Sequence, residues 1–296
     1  MMPMNTSNSN NPSNTLRLAL LALIVIVVAT LFSSSLARLA YAVMNREGSS
    51  HGIFVPFLSA FFIWIKRDSL INTEMKYDLL GIPVMLAGLL FPIFGIGPYN
   101  LQLLAFIIFL SGSVIFLLGW KFFKEISFPL LFLITLIPIP DNLYSSLAES
   151  TRVISFGGAR GILSILGIPF TREGNIICLH NATLEVAEGC SGIRYLVSYF
   201  VFSLAYAWLF RKAFWSRLAV VLSSILISLM ASVGRLTFIF ILTHLFGPQM
   251  SETWPHIIIS WSVFFIVLIV SISLDQHFQK RFQSHIHHRD AESTEK

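Results

Sequence analysis

Three side chains in this sequence have the chemistry to move an acyl group: the thiol of Cys190, the guanidinium of Arg235 and the imidazole of His256. A thiolate attacks a carbonyl carbon, and a guanidinium stabilises the oxyanion of the resulting tetrahedral intermediate. An imidazole, which exchanges protons near neutral pH, takes the thiol proton and returns it to the leaving amine. Each residue also has a plainer alternative. Cysteine is among the most buried residue types, an arginine can snorkel to lipid headgroups, and a histidine beside Trp254 can be an interfacial polar residue. The chemical reading therefore depends on whether the chain brings all three to one depth.

Cys190 stands in AEGCSGIRYL, residues 187–196, where a polar connection ends and an apolar run begins. That pattern predicts a helix start, with Ser191 as a small polar residue that can cap and Gly192 allowing close backbone approach. A thiol in a first turn sits near unpaired N–H groups and the positive end of the helix dipole, which favour the thiolate. His256 follows Pro255 at the start of the last apolar run; His244 and His51 are rival bases, with His244 ranked second. Arg194 and His244 are assigned to substrate binding, and Arg194 could also assist the oxyanion.

Positioning these groups is a membrane problem. Of 296 residues 55% are hydrophobic and only 12% are charged, and apolar runs long enough to cross a bilayer recur, as in a polytopic membrane protein. The formal charge of +5 falls in short clusters between those runs, which fits loops and excludes a nucleic-acid partner. Two cysteines, Cys178 and Cys190, are too few for a disulfide framework, and a bridge between them would silence Cys190. No metal or other cofactor is expected. The cysteines lack a matching His pair, the spans hold no acidic cluster, and His285, His287 and His288 belong to a solvated tail.

The expected fold is all-α: a polytopic helical bundle of about eight transmembrane helices carrying a small extracytoplasmic helix and hairpin insertion. Residues 1–15 read as a disordered tail, 16–276 as the transmembrane domain and 277–296 as a cytoplasmic C-terminal tail. The spans are placed at 16–36, 51–65, 79–96, 101–120, 126–139, 193–210, 218–246 and 257–274. Between residues 141 and 189, Val153, Ile154, Phe156, Ile162, Leu163, Ile165 and Leu166 recur beside Arg152 and Arg160. Their spacing predicts an amphipathic helix at the membrane surface. Two strand-like pieces follow, 175–179 and 182–186, around a turn near His180 and Asn181.

With eight spans, the positive-inside rule puts four clusters on one side with both termini: Lys66/Arg67/Lys76, Lys121/Lys124, Arg211/Lys212/Arg217 and Lys280/Arg281. Arg38 and Arg46 oppose it, so the first span is the weakest assignment. Cys190, residues 141–189 and the start of the last span then face outward. Arg235 lies 17 residues beyond Leu218, roughly 26 Å along a helix and close to the outer edge of a hydrocarbon core about 30 Å thick. A guanidinium at that depth needs a cavity or a partner, and the depth is that of Cys190. Thiol, guanidinium and imidazole converge at the outer end, the arrangement that acyl transfer from a peptide carbonyl requires.

The chain resembles the exosortase/archaeosortase family of polytopic membrane cysteine transpeptidases. The likeness runs through SHGIFVPFLSAFFIWIKR (50–67), FPLLFLITLIPIP (128–140), LGIPFTREGNII (166–177), VAEGCSGIRYL (186–196), the region of Arg235 and HIIISW (256–261). It implies a catalytic set of Cys190, Arg235 and His256. It also implies cleavage, through a thioester acyl-enzyme, of membrane-anchored substrates carrying a C-terminal sorting signal of the Pro-Glu-Pro type, and transfer to an acceptor. An inner-membrane location and association with exopolysaccharide systems come with it. One departure stands out: where the family often has asparagine three residues before the arginine, this chain has Ser232. The rival reading is a non-catalytic component of polysaccharide export or transport. Such proteins gather ionisable groups near the bilayer midplane, often in paired halves, and neither feature is legible here.

Overall fold

The computed structural model describes residues 12–45, 51–94, 97–173, 176–179, 182–185, 192–251, 254, 258–263, 265–273 and 276. The chain divides into two compact units, Met1–Pro140 and Asp141–Lys296.

The first unit begins with α1 (Pro12–Val27), a π-helical turn (Val28–Phe32) and α2 (Ser33–Asn45). Phe32, at the end of the π turn, is fully buried against Ala105 and Phe109 of α6 (Tyr99–Leu118). The Ser35 hydroxyl bonds Gln102 on the same helix. Next come α3 (Phe54–Ile65), α4 (Arg67–Ile71) and α5 (Gly81–Phe94), and then, after α6, α7 (Trp120–Phe132) with a 3-10 turn (Leu133–Leu136). Helices α5 and α6 approach backbone to backbone because glycines line the seam. A Cβ on Gly88 would lie 2.5 Å from the Phe109 amide nitrogen, and one on Gly112 would lie 2.5 Å from that of Met85. Small residues at helix contacts are the usual means of close approach where lipid supplies no hydrophobic drive. Helix α3 is tied to α7 by the buried Ser59 hydroxyl, which donates to the Pro129 carbonyl at 2.9 Å. At the end of α3 the Lys66 ammonium meets Glu125 at 3.0 Å.

The second unit carries the remaining chemistry. Helix α8 (Asp141–Ile165) stops in a glycine cap. Gly167 takes φ +69, the Ile168 amide donates to the Leu163 carbonyl, and the Gly167 amide donates to that of Ser164. Three short antiparallel strands follow in sequence order, β1 (Phe170–Glu173), β2 (Ile176–Leu179) and β3 (Ala182–Glu185). Then come α9 (Ile193–Phe210), α10 (Phe214–Phe246), a 3-10 turn (Pro248–Ser251) and a last apolar helix α11 (Ile258–Ser273). Helix α10 is central to this unit, packing against α8 and α9. Phe156, Ala159 and Leu163 of α8 bury themselves on its Leu236 and Phe240, with Ile168 and Phe170 at the margin. On α9, Tyr195 and Tyr199 pack on Ala231, with Val263, Val267 and Leu268 of α11 against them.

The protein is thus a helical integral membrane protein with a small sheet. Among the described residues, four helices are long and apolar enough to span: Ala19–Asn45, Tyr99–Leu118, Ile193–Phe210 and Phe214–Phe246. Three shorter apolar helices, His51–Ile65, Gly81–Phe94 and Ile258–Ser273, coincide with further expected spans. The expected span at 126–139 falls on α7 and its 3-10 turn, and pairing Trp120–Leu136 with Asp141–Ile165 as one broken span would add a fifth long one.

Two local expectations are refined. The hairpin is a three-stranded meander, because Thr171 of β1 lies opposite Cys178 and Cys178 lies opposite Thr183. Helix α8 begins at Asp141 and buries Ala148, Thr151, Ser155, Phe156, Ala159 and Leu163, whereas Val153, Ile154, Ile162, Ile165 and Leu166 are exposed. Much of the apolar stripe read from the sequence faces outward. The face packed on α10 is made largely of small residues, which a periodicity of large apolar side chains does not report.

Candidate active site

Arg235 is buried in α10, only 3% exposed. A guanidinium in such a place needs a partner of low desolvation cost, and its Cζ lies 5.0 Å from the ring centroid of Tyr195 on α9. The Tyr195 hydroxyl reaches the other way and donates to the Ser260 carbonyl of α11 at 3.1 Å. One aromatic side chain therefore connects the arginine to two further helices. Long side chains on a helix point back toward its N-terminus, so Arg235 covers the level of Ala231, where Tyr195 packs.

Helix α9 begins at Gly192, the left-handed N-cap (φ +81), whose carbonyl accepts from the amides of Tyr195 at 3.0 Å and Leu196 at 3.2 Å. Gly192 sits directly on Ser232, one turn before Arg235: a Cβ added there would collide with the Ser232 hydroxyl oxygen and lie 2.7 Å from Ser232 Cβ. Ser232 in turn accepts a hydrogen bond from Ser155 of α8, Oγ to Oγ 2.8 Å. Beyond the C-terminal end of α10, β3 lies against the 3-10 turn Pro248–Ser251.

Of the site residues expected from the sequence, Arg235, Arg194 and His244 are described, while Cys190 and His256 lie outside the described residues. Tyr195, five positions after Cys190, contacts Arg235, and Ser260, four positions after His256, contacts Tyr195. Arg194 is exposed on the first turn of α9. His244 is half-buried nine residues beyond Arg235, about 14 Å along the axis and half a revolution around it. The structure does not bring His244 to the arginine. The ring of His51, in the other unit, has its Nε2 3.2 Å from the Thr135 carbonyl, an acceptor only, so that nitrogen carries the proton. Cys178 lies on the central strand of the meander, and its pairing with Cys190 falls outside the described residues. Among the described residues no group of three or more His, Cys, Asp or Glu could hold a metal ion.

Sequence reasoning missed Tyr195, Ser155 and Ser260. Tyr195 carried a signal, an aromatic residue on the first turn after the cysteine. Ser155 carried none, since in membrane helices a serine hydroxyl ordinarily bonds its own helix, as Ser203, Ser224 and Ser228 do here, and Ser260 contributes only a backbone carbonyl, which any residue type supplies.

The buried arginine, its aromatic platform and the glycine-capped helix start define a polytopic membrane protein with a polar site built into a helical bundle. A family model described as transmembrane exosortase matches residues 43–273, and the chain belongs to that family. No curated protein and no solved structure matches it.

Proposed function

We propose that this protein is a membrane cysteine transpeptidase acting on the outer face of the inner membrane. Its substrates are membrane-anchored proteins with a C-terminal sorting signal. The Cys190 thiol gives its proton to His256 and attacks the scissile carbonyl; Arg235 stabilises the tetrahedral oxyanion. Collapse breaks the C–N bond, His256 returns the proton to the departing amine, and a thioester remains on Cys190. An acceptor nucleophile then takes the acyl group and restores the thiol. The outward orientation rests on the four basic clusters, and the substrate class rests on family membership.

The observation that carries this reading is Arg235: a guanidinium 3% exposed, stacked on the first turn of the helix that begins two residues after Cys190. A buried cation inside a membrane bundle is costly, which marks it as a functional residue, and stabilising a developing negative charge is a task suited to it.

The test is the mass of a signal-bearing substrate co-expressed with wild type, Cys190→Ser, Cys190→Ala, Arg235→Ala or His256→Ala. Wild type shortens the substrate at its signal and the Cys190 variants leave it intact. Added mass on the product identifies transfer, and its absence identifies hydrolysis. Normal processing by the Cys190 variants would replace the catalytic reading with that of a non-catalytic export component.

A further inference from the structure

Gly192 is buried and held in the left-handed region at φ +81. It touches α10 so closely that even a methyl group there would overlap Ser232. The same methyl would lie 3.6 Å from the Ser155 hydroxyl, so α8, α9 and α10 all meet at this glycine. Ser155 and Ser232 are 0% and 1% exposed and bond one another across the two helices. Ser228 and Ser224, one and two turns earlier on α10, instead donate to carbonyls of their own helix. Ser232 is thus committed to an interhelical contact at the level where α9 starts.

Tyr195, whose ring centroid lies 5.0 Å from the Arg235 Cζ, follows Gly192 by three positions on α9. Arg235 follows Ser232 by three positions on the same rigid helix. We infer that the Ser155–Ser232 pair is a seat for Gly192 that fixes the start of α9 against α10 and so sets how the Tyr195 ring meets the Arg235 guanidinium. Both serines are then positioning residues for the acyl-transfer step, an inference that rests on the function proposed above. Ser155 acts through Ser232 by occupying its hydroxyl and fixing its rotamer, and Ser232 acts by direct contact with the glycine.

The experiment is a double-mutant cycle on the full chain in lipid nanodiscs, combining Gly192→Ala with Ser232→Gly, beside the milder Ser155→Ala. Two readouts are taken: kcat and KM for a signal-bearing substrate, and the rate of Cys190 alkylation by iodoacetamide, followed by mass in a Cys178→Ser background. Gly192→Ala lowers kcat about 100-fold with KM within about twofold, because the Arg235 guanidinium loses its fixed platform while the substrate site is intact. Ser232→Gly removes the colliding atoms and restores about tenfold in the double variant, a departure from independent effects that marks direct contact. Alkylation follows the same pattern, and Ser155→Ala shifts both rates in the direction of Gly192→Ala. Effects of Gly192→Ala and Ser232→Gly that simply multiply would overturn the seat, as would a Ser155→Ala variant whose alkylation rate and kcat equal those of wild type. If Cys190→Ala processes substrate normally, the proposed function fails, and the alkylation cycle alone then decides whether the seat holds the start of α9.

Discussion

Tyr195 joins three helices through one side chain, with its ring under the Arg235 guanidinium at 5.0 Å and its hydroxyl on the Ser260 carbonyl at 3.1 Å. The two contacts separate by substitution. Tyr195→Phe keeps the ring and deletes one hydrogen bond, so it costs about 1 kcal/mol in unfolding experiments in detergent. Tyr195→Leu loses the ring as well and costs about 2–4 kcal/mol, since a buried guanidinium is left without its platform. At Arg235 itself, lysine keeps the charge and loses the planar fork. Arg235→Lys is expected to accumulate in membranes at the wild-type level while processing a signal-bearing substrate about 100-fold more slowly. A lysine variant with full activity would exclude the oxyanion role.

At the scale of elements, the seam between α5 and α6 and the outer face of α8 use glycine in opposite ways. A Cβ on Gly88 would come within 2.5 Å of the Phe109 nitrogen and 2.7 Å of the Ala105 oxygen, both backbone atoms that cannot step aside. Gly88→Ala should therefore cost about 1–3 kcal/mol, read as a lower thermal midpoint in detergent. Gly157 lies within α8, and a Cβ added to it would meet nothing within 4 Å. Gly157→Ala should therefore raise stability by about 0.5–1 kcal/mol through helix propensity alone, read as a higher midpoint in the same experiment. Both glycines look alike in sequence, because each stands in a helical context and only the neighbouring helix distinguishes them. The existence of these helices was legible from their apolar runs. The packed face of α8 was not, since Ser155 and Ala159 offer no hydrophobic contrast to Val153 or Ile154.

For the whole molecule, the arrangement of basic clusters makes a topological prediction that labelling can check. In a Cys178→Ser/Cys190→Ser background, single cysteines are introduced at Leu166, Lys121 and Lys212, all exposed positions. A membrane-impermeant maleimide should label Leu166→Cys in intact cells, and Lys121→Cys and Lys212→Cys only after permeabilisation. Labelling of Lys212→Cys in intact cells would reverse the orientation and put the proposed site on the cytoplasmic face. The membrane class and the order of spans could be read directly from composition and apolar run length, because a bilayer imposes its thickness on every crossing segment.

The sequence by itself determined that the chain is a polytopic membrane protein, where its apolar helices run and that Arg235 is a charged residue inside one of them. These are properties of local composition, and solvent transfer acts on them residue by residue. Only the tertiary structure decided what surrounds that arginine. Tyr195, Ser232, Gly192 and Ser260 reach one neighbourhood from three helices, and Ser155 joins from a fourth, through contacts spanning up to 77 positions in the chain. Such contacts depend on which helix faces pack together, and small or polar residues in membrane helices leave no periodic mark by which one sequence could reveal them.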